Sequence, residues 1–281
     1  MAKTALITGA SSGFGLLTSV TLARRGWHVL ATMRDLSRRS RLEDAARSAG
    51  VLDRIEILEL DVTRGEQIAA IAALVEKRET PLQALVNNAG FAVPGFAEDV
   101  SDTELRDQFD TNFFGAAAVT RALLPQLRRQ GFGHIVMVTS VSGRSGFPGV
   151  GSYTASKFAL EGWTETLRLE MKASGVQVVL VEPGSFETDI WTRNAKISAR
   201  MLDPGSPNAA RVGRWRAEIE RNNKKADPQI VADRIASILE NSRPRLRYVV
   251  GKDARMALTL RAILPWGIFE RIMVKLSGMD R

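Results

Sequence analysis

The stretch from Thr4 to Met33 limits the folds open to this chain more than any other. Thr4–Thr8 is a short apolar run, suited to a strand buried on both faces, and Gly9-Ala10-Ser11-Ser12-Gly13-Phe14-Gly15 follows at once. An amphipathic helical pattern (Leu16, Leu17, Val20, Leu22, Ala23) runs to about Arg25, Gly26 ends it, and His28–Met33 is a second strand. The glycines fall as G-x-x-x-G-x-G, not as the commoner dinucleotide spacing G-x-G-x-x-G. Both spacings answer one physical need: a tight turn, a backbone that lets a pyrophosphate approach, and a helix N-terminus with free N–H groups. Phe14 stands where an ATPase-type phosphate loop requires Gly-Lys-Ser/Thr, so the unit reads as dinucleotide-binding.

The alternation of strand and helix then continues without a break. It predicts helix 38–49, strand Ile55–Glu59, helix 66–78 with a Thr63/Glu66 capping box, and strand Leu82–Val86. A second capping box, Ser101/Glu104, opens helical periodicity that breaks near Asp110 and resumes from Asn112 to Arg129. Strand His134–Thr139, helix Tyr153–Ser174 and strand Val176–Val181 follow, the last ending in Glu182-Pro183-Gly184. Residues 189–226, rich in arginine and asparagine with Pro204, Gly205 and Pro207, read as a long flexible insertion. Asp227-Pro228 starts helix 229–240, and Leu246–Val250 completes the sheet. Such a pattern predicts an α/β fold, a doubly wound parallel sheet of the Rossmann type spanning residues 1–251, with a helical extension over 252–281. Ligands of these sheets lie beyond the carboxyl ends of the strands, where Gly9, Asp61, Asn87, Ser140 and Pro183 all fall.

At 281 residues the chain can bury one substantial core. Without cysteine it has no disulfides or thiolate metal sites, and two histidines, each at the head of an apolar run, argue against a zinc site or a Ser-His-Asp triad. No run approaches the ~20 apolar residues of a membrane span. The N-terminus enters a strand directly rather than a signal core, and a cytoplasmic location is expected. The net charge of +8 is spread over scattered arginines, which suits a solvated face with some phosphate contacts better than a nucleic-acid-binding block.

Tyr153 and Lys157 are four apart, hence on one face of their helix. A free phenol, with a pKa near 10, is a poor acid–base group at neutral pH, and a neighbouring ammonium is expected to lower that value. Ser140 ends the facing strand, where its hydroxyl can meet a substrate oxygen, so the three can pass a proton to or from an alcohol or carbonyl. Ser142 competes for the serine role.

These residues bring the chain to a known family. Thr8-Gly9-x-x-x-Gly13-x-Gly15, Asp61, Asn87-Asn88-Ala89-Gly90, Asn112, Ser140, Tyr153-x-x-x-Lys157, and Pro183-Gly184 with Thr188 resemble, in order and spacing, a short-chain dehydrogenase/reductase. Ala31–Asp35 and Ser156–Gly162 are similar to the hydroxysteroid and retinol dehydrogenase branch. The resemblance implies Tyr153 as acid in reduction and base in oxidation, Lys157 lowering its pKa and bonding a nicotinamide ribose, and Ser140 orienting the carbonyl. It implies a water-linked relay supported by Asn112. Gly9, Gly13 and Gly15 would admit the pyrophosphate, with Ser11, Ser12 and Phe14 among the cofactor's other contacts. Asp61 and Val62 would meet the adenine, Asn88, Ala89 and Gly90 would line the cleft, and Pro183, Gly184 and Thr188 would border the nicotinamide. The serine spacing of the family favours Ser140 over Ser142.

Asp35 sits where an acidic residue would bond a ribose 2′-hydroxyl and select NAD. The strand end is instead Thr32-Met33, and Arg34 with Ser11 suits a 2′-phosphate, so NADP is expected. Phe147, Phe186 and Trp191 suggest a hydrophobic steroid-, retinoid- or lipid-like carbonyl substrate. Rival readings are a 3-oxoacyl-type reductase and a non-catalytic NADP sensor on the same fold. Family members pair through helices such as 112–129 and 153–174, where Ala155, Ala159 and Gly162 permit close approach, so a homodimer or homotetramer is expected. The tail, Ala254–Leu276, reads as a cap on the site or a subunit contact, with peripheral membrane contact the less favoured role.

Overall fold

The computed structural model describes residues 3–221 and 225–279. In chain order its main elements are β1 (Lys3–Ile7), α1 (Gly13–Arg24), β2 (Trp27–Met33), α2 (Ser40–Ser48), β3 (Ile55–Glu59) and α3 (Gly65–Glu76). Then come β4 (Leu82–Asn87), α4 (Asp102–Phe109), α5 (Ala116–Gln130), β5 (Gly133–Val138), α6 (Gly151–Glu170) and β6 (Val176–Pro183). The chain closes with α7 (Ala209–Arg221), α8 (Gln229–Leu239), β7 (Arg247–Val250), α9 (Lys252–Ile263) and α10 (Trp266–Leu276). The strands form one parallel sheet in the order β3-β2-β1-β4-β5-β6-β7. Successive strands are added outward in one direction from β1 to β3 and in the other from β4 to β7, and this switch between β1 and β4 opens a crevice at their carboxyl ends.

Both faces of the sheet are buried, so its strands are nearly continuous in apolar residues. Side chains alternate between two cores with the period of two that a strand imposes. Ala5, Ile7, Val136, Val138, Val179 and Val181 pack under α1 and α8, while Leu6, Ile135, Met137, Val178 and Leu180 pack under α3, α5 and α6.

Several local expectations meet competing chemistry. The Thr63/Glu66 box does not form: Asp61 Oδ1 accepts from both the amide (3.0 Å) and the hydroxyl (2.7 Å) of Thr63, and α3 starts at Gly65 behind Arg64. With Arg64 at the N-cap, Thr63 stands one residue too early to accept from the N3 amide. The Ser101/Glu104 box is present with both reciprocal bonds. Helix 38–49 is divided, because Asp35 caps a short 3-10 turn at Leu36–Arg38 and α2 begins only at Ser40. The break near Asp110 is a π-helical turn over Asp110–Gly115.

The largest correction concerns 189–226. Instead of a flexible insertion, half of it is two 3-10 turns and the helix α7, anchored by Met201, Val212 and Trp215 in a third apolar cluster with Phe96, Val150 and Tyr153. Residues 222–224 of that prediction lie outside the described residues. Trp215 Nε1 donates to Pro148 O (3.0 Å), and its ring lies where a side chain on Gly149 would sit: a Cβ there would approach it to 2.6 Å. Gly149 also has φ +77°, so this loop position is closed to other residues on both counts.

Candidate active site

A cleft of about 940 Å³ opens along the carboxyl edge of the sheet, from Arg34 and Asp61 at one end to Trp215 and Met273 at the other. Its floor is built from strand ends. Thr8, just past β1, accepts through its hydroxyl the amides of Asn88 and Ala89 (both 3.0 Å). Asn88 Nδ2 donates back to Thr8 O (2.9 Å) and Gly9 O (3.1 Å). These bonds clamp the glycine loop to the end of β4. Gly15 allows the closure: a Cβ there would lie 2.3 Å from Gly9 O and 2.5 Å from Asn88 Nδ2.

The first turn of α1 is prepared for an anion. Ser12 makes no side-chain cap bond to it, the turn carries no acidic residue, and Ser12 Oγ instead accepts from Asn194 Nδ2 (3.1 Å). Its amides are left to a ligand or water.

At the centre, Ser140 follows β5 and Tyr153 and Lys157 project from α6. The Ser140 hydroxyl hydrogen-bonds the Tyr153 phenol, and Ser140 Oγ also accepts from Ser142 N (3.1 Å). Lys157 Nζ donates to Val138 O (3.0 Å) and lies 5.7 Å from the centre of the Tyr153 ring. Burial dominates both ionisations. It pushes the phenol up to about 12 against the Ser140 hydrogen bond, and pushes the ammonium down to about 8 against the pull of the Glu161 carboxylate. The expectation that Lys157 lowers the phenol's pKa therefore fails: desolvation dominates, and the ammonium is turned to the β5 carbonyl. At neutral pH the pair is a neutral phenol beside a cationic amine, the form that donates a proton.

Asn112 sits on the π-helical turn. Its Oδ1 accepts from Phe91 N (3.1 Å), and its Nδ2 donates to Phe91 O (3.0 Å) and Ser156 Oγ (3.3 Å). Both ends of the amide are thus spent bracing the segment after β4 against α6.

The model of the short chain dehydrogenases matches residues 3–198, well over half of the chain. The chain belongs to that family. It is 40% identical over 277 residues to an uncharacterized oxidoreductase of Bacillus subtilis, YusZ, covering 97% of this chain and 98% of that one. It is 36% identical over 273 residues to bovine retinol dehydrogenase 8, covering 94% and 86%. Among solved structures, a short-chain dehydrogenase from Streptomyces avermitilis superposes with a TM-score of 0.81 at 36% identity, covering 100% and 97%. One from Burkholderia cenocepacia, in complex with NADP, gives 0.75 at 25% identity, covering 96% and 97%. The chain is therefore an oxidoreductase of a nicotinamide-using family, with a retinol dehydrogenase-like relative.

In this oxidoreductase the cleft gathers Gly9, Ser11, Ser12, Gly13, Phe14, Arg34, Asp61, Val62, Asn88, Ala89, Gly90, Pro183, Gly184 and Thr188 along one half. Gly15 lies beneath it as packing. Asp35 spends one carboxylate oxygen locally: its Oδ1 accepts from the amide (2.9 Å) and hydroxyl (2.6 Å) of Ser37, bonds that hold it below the usual carboxylate range. Arg38, not anticipated from the sequence, lines the same end beside Arg34 and donates to Asn194 Oδ1 (3.4 Å). An anionic dinucleotide fits these donors.

On the other half, Phe147 is half-buried in the cleft wall and Trp191 stands edge-on to Tyr153, ring centres 5.4 Å apart. Phe186, also expected near the substrate, lines the cleft from below. It is 3% exposed, packed T-shaped on Phe14 at 5.6 Å, and belongs to the core beneath the glycine loop, reaching the cleft from that side. Trp215, Met201 and Met273 also line this half, and the sequence reading missed them. Nothing local to α7 or α10 marks them, because only the folding of the 189–226 segment and the tail over the cleft brings them there.

Ser142 is buried and faces the cleft, but the phenol is bonded to Ser140. Ser140→Ala should lower kcat by about 10²-fold or more, and Ser142→Ala by less than about tenfold. The reverse order in steady-state kinetics would reassign the role.

Proposed function

We propose that this protein is an NADP(H)-dependent reductase of hydrophobic aldehydes or ketones, of steroid-, retinoid- or other lipid-like character. The observation that carries the reading is a buried phenol hydrogen-bonded to Ser140, one helical turn from Lys157, at the junction of a phosphate-prepared crevice and an apolar chamber.

The dinucleotide supplies the hydride. Everything else falls to the chain's own side chains. Ser140 directs a hydroxyl at the substrate oxygen and fixes it beside Tyr153. Tyr153 gives that oxygen its proton as the alcohol forms. Lys157 then offsets the charge left on the phenol oxygen, a stronger effect in a buried site than in water. Asn112 keeps the Phe91 segment and α6 in register so that Lys157 stays under the tyrosine. Trp191, Phe147 and Trp215 shut water from the chamber and accept an apolar skeleton. The name of the relative retinol dehydrogenase 8 agrees with an apolar carbonyl. A screen of carbonyls followed by NADPH oxidation tests this: turnover confined to small charged carbonyls would overturn it.

NADP rather than NAD is proposed from the two guanidiniums at the far end and the engaged carboxylate of Asp35, and a family neighbour is solved with NADP. Arg34→Asp combined with Arg38→Gln should raise KM for NADPH by at least about tenfold while leaving KM for NADH within a factor of about two. An equal loss for both dinucleotides would remove the assignment.

A second copy of the chain is the proposed partner. Phe114 near the start of α5 and Phe158 on α6 are 56% and 46% exposed, on the helices expected to pair. A monomer mass in solution would contradict it.

A further inference from the structure

The last two helices form a hairpin whose tip is apolar and uncovered. α9 is seated by Ala254 and Leu258 and α10 by Phe269, all buried. Between these seats residues 262–269 read Ala-Ile-Leu-Pro-Trp-Gly-Ile-Phe, eight in a row without a charge. Ile263, Trp266 and Ile268 are 68%, 57% and 45% exposed. Met256, two helical turns before Ile263, extends the apolar surface along α9. An uncovered patch of this kind marks an interaction site.

Its flanks say what kind. Over 252–276 there are five cations, Lys252, Arg255, Arg261, Arg271 and Lys275, against two acids, Asp253 and Glu270. Asp253 is turned inward, accepting from Ser185 N (2.6 Å). Arg261 is stacked over the rings of Trp266 (5.0 Å) and Phe269 (5.7 Å), and Arg271 Nε donates to Gly267 O (3.1 Å). Both guanidiniums are therefore held at the tip. An isologous pair of copies meeting here would set these cations against their own images, whereas a layer of anionic headgroups complements them. An indole at the level of the arginines is also the arrangement of a side chain at a lipid–water boundary. At the other end of α10, Met273, Leu276 and Ser277 line the cleft.

We propose that the α9–α10 tip docks on an anionic lipid surface. Ile263, Trp266 and Ile268 enter the acyl boundary, and Arg261 and Arg271 lie among headgroup phosphates. Docking holds the apolar end of the cleft close to the bilayer, from which a lipid-like carbonyl would enter. That last clause rests on the function proposed above; the docking does not.

The test uses the full chain with phosphatidylcholine vesicles, with and without phosphatidylglycerol, in co-sedimentation. Brominated acyl chains serve as a quencher of Trp266, with Trp266→Phe as the control. The expected result is capture by the phosphatidylglycerol vesicles, falling with added salt, and quenching that the control loses. Ile263→Ser with Trp266→Ser should weaken capture at least about tenfold. Arg261→Gln with Arg271→Gln, which leaves the apolar tip in place, should weaken it about tenfold. Turnover of a short water-soluble ketone should be unchanged in both pairs of variants, so that lost docking is told from lost fold. Capture that ignores phosphatidylglycerol, or that survives both pairs of substitutions, overturns the proposal. So does a dimer that the serine pair dissociates while the parent ignores vesicles, since the occupant is then a second copy. Capture by a parent that reduces no carbonyl leaves the docking standing and removes only the function proposed above.

Discussion

Tyr153→Phe should lower kcat/KM for carbonyl reduction by about 10² to 10⁴-fold, roughly 3–5 kcal/mol of transition-state stabilisation, with the melting temperature within a few degrees of the parent. The two effects separate because the substitution removes one oxygen and leaves the buried ring, its edge contact with Trp191 and its place in the lid cluster. The hydroxyl it removes is the one bonded to Ser140. In the parent, with the phenol pushed up to about 12, the proton donor is present throughout the working range. The group that titrates first on the alkaline side is Lys157, pushed down to about 8. Reduction should therefore decline above about pH 8 rather than near 10, in a profile of kcat/KM against pH. A Tyr153→Phe enzyme that reduces ketones as fast as the parent would end the proton-donor assignment.

Arg247→Met should destabilise the fold by about 3–5 kcal/mol at pH 8, the range for removing one partner of a buried ion pair, and by much less at pH 5. Arg247 Nη2 lies 3.1 Å from Glu161 Oε2 and also meets Glu165, while its Nε lies 3.0 Å from Glu182 Oε1. Glu161 and Glu182 are both buried. Glu161 also accepts from the Thr139 hydroxyl (2.6 Å), and its Cγ lies where a side chain on Gly143 would sit. The cluster thus supports the loop that carries Ser140. Burial, and then the neighbouring Glu182 charge, push Glu161 up to about 7; burial also pushes Glu182 up.

Glu161 keeps its proton in the folded chain where the unfolded chain has lost it. Its contribution to stability is therefore full below about 4.5 and is lost as pH rises through about 7. Arg247 lowers both carboxyls, so removing it raises them further and deepens the loss on the alkaline side. Urea unfolding at the two pH values measures this. An equal loss at both would mean that Arg247 matters through packing alone.

Much of the site was legible before any coordinates because its residues sit at strand ends. A buried parallel strand announces itself as an apolar run, and the residue that ends the run is placed at the carboxyl edge of the sheet whatever else the chain does. Gly9, Asp61, Asn87, Ser140 and Pro183 could be placed that way, and the four-residue spacing of Tyr153 and Lys157 put them on one helical face. Less was legible where contacts span long separations. Arg38 and Asn194 are 156 residues apart, and Arg247 and Glu161 are 86 apart. Trp215 meets the 147–149 loop only after 189–221 folds over it. A polar, proline-punctuated segment looks unstructured by composition, yet three buried apolar side chains, Met201, Val212 and Trp215, are enough to seat it.

By itself the sequence determined the parallel doubly wound sheet, the anion-ready helix start, and the presence of a serine, a tyrosine and a lysine at one edge, because period, spacing and strand ends are local properties. Tertiary structure alone decided the ionisation of that trio, the lid over it, the engagement of Asp35 by Ser37, and the uncovered apolar tip of the tail. Desolvation and long-range packing depend on which atoms surround a group, and a linear pattern does not contain that information.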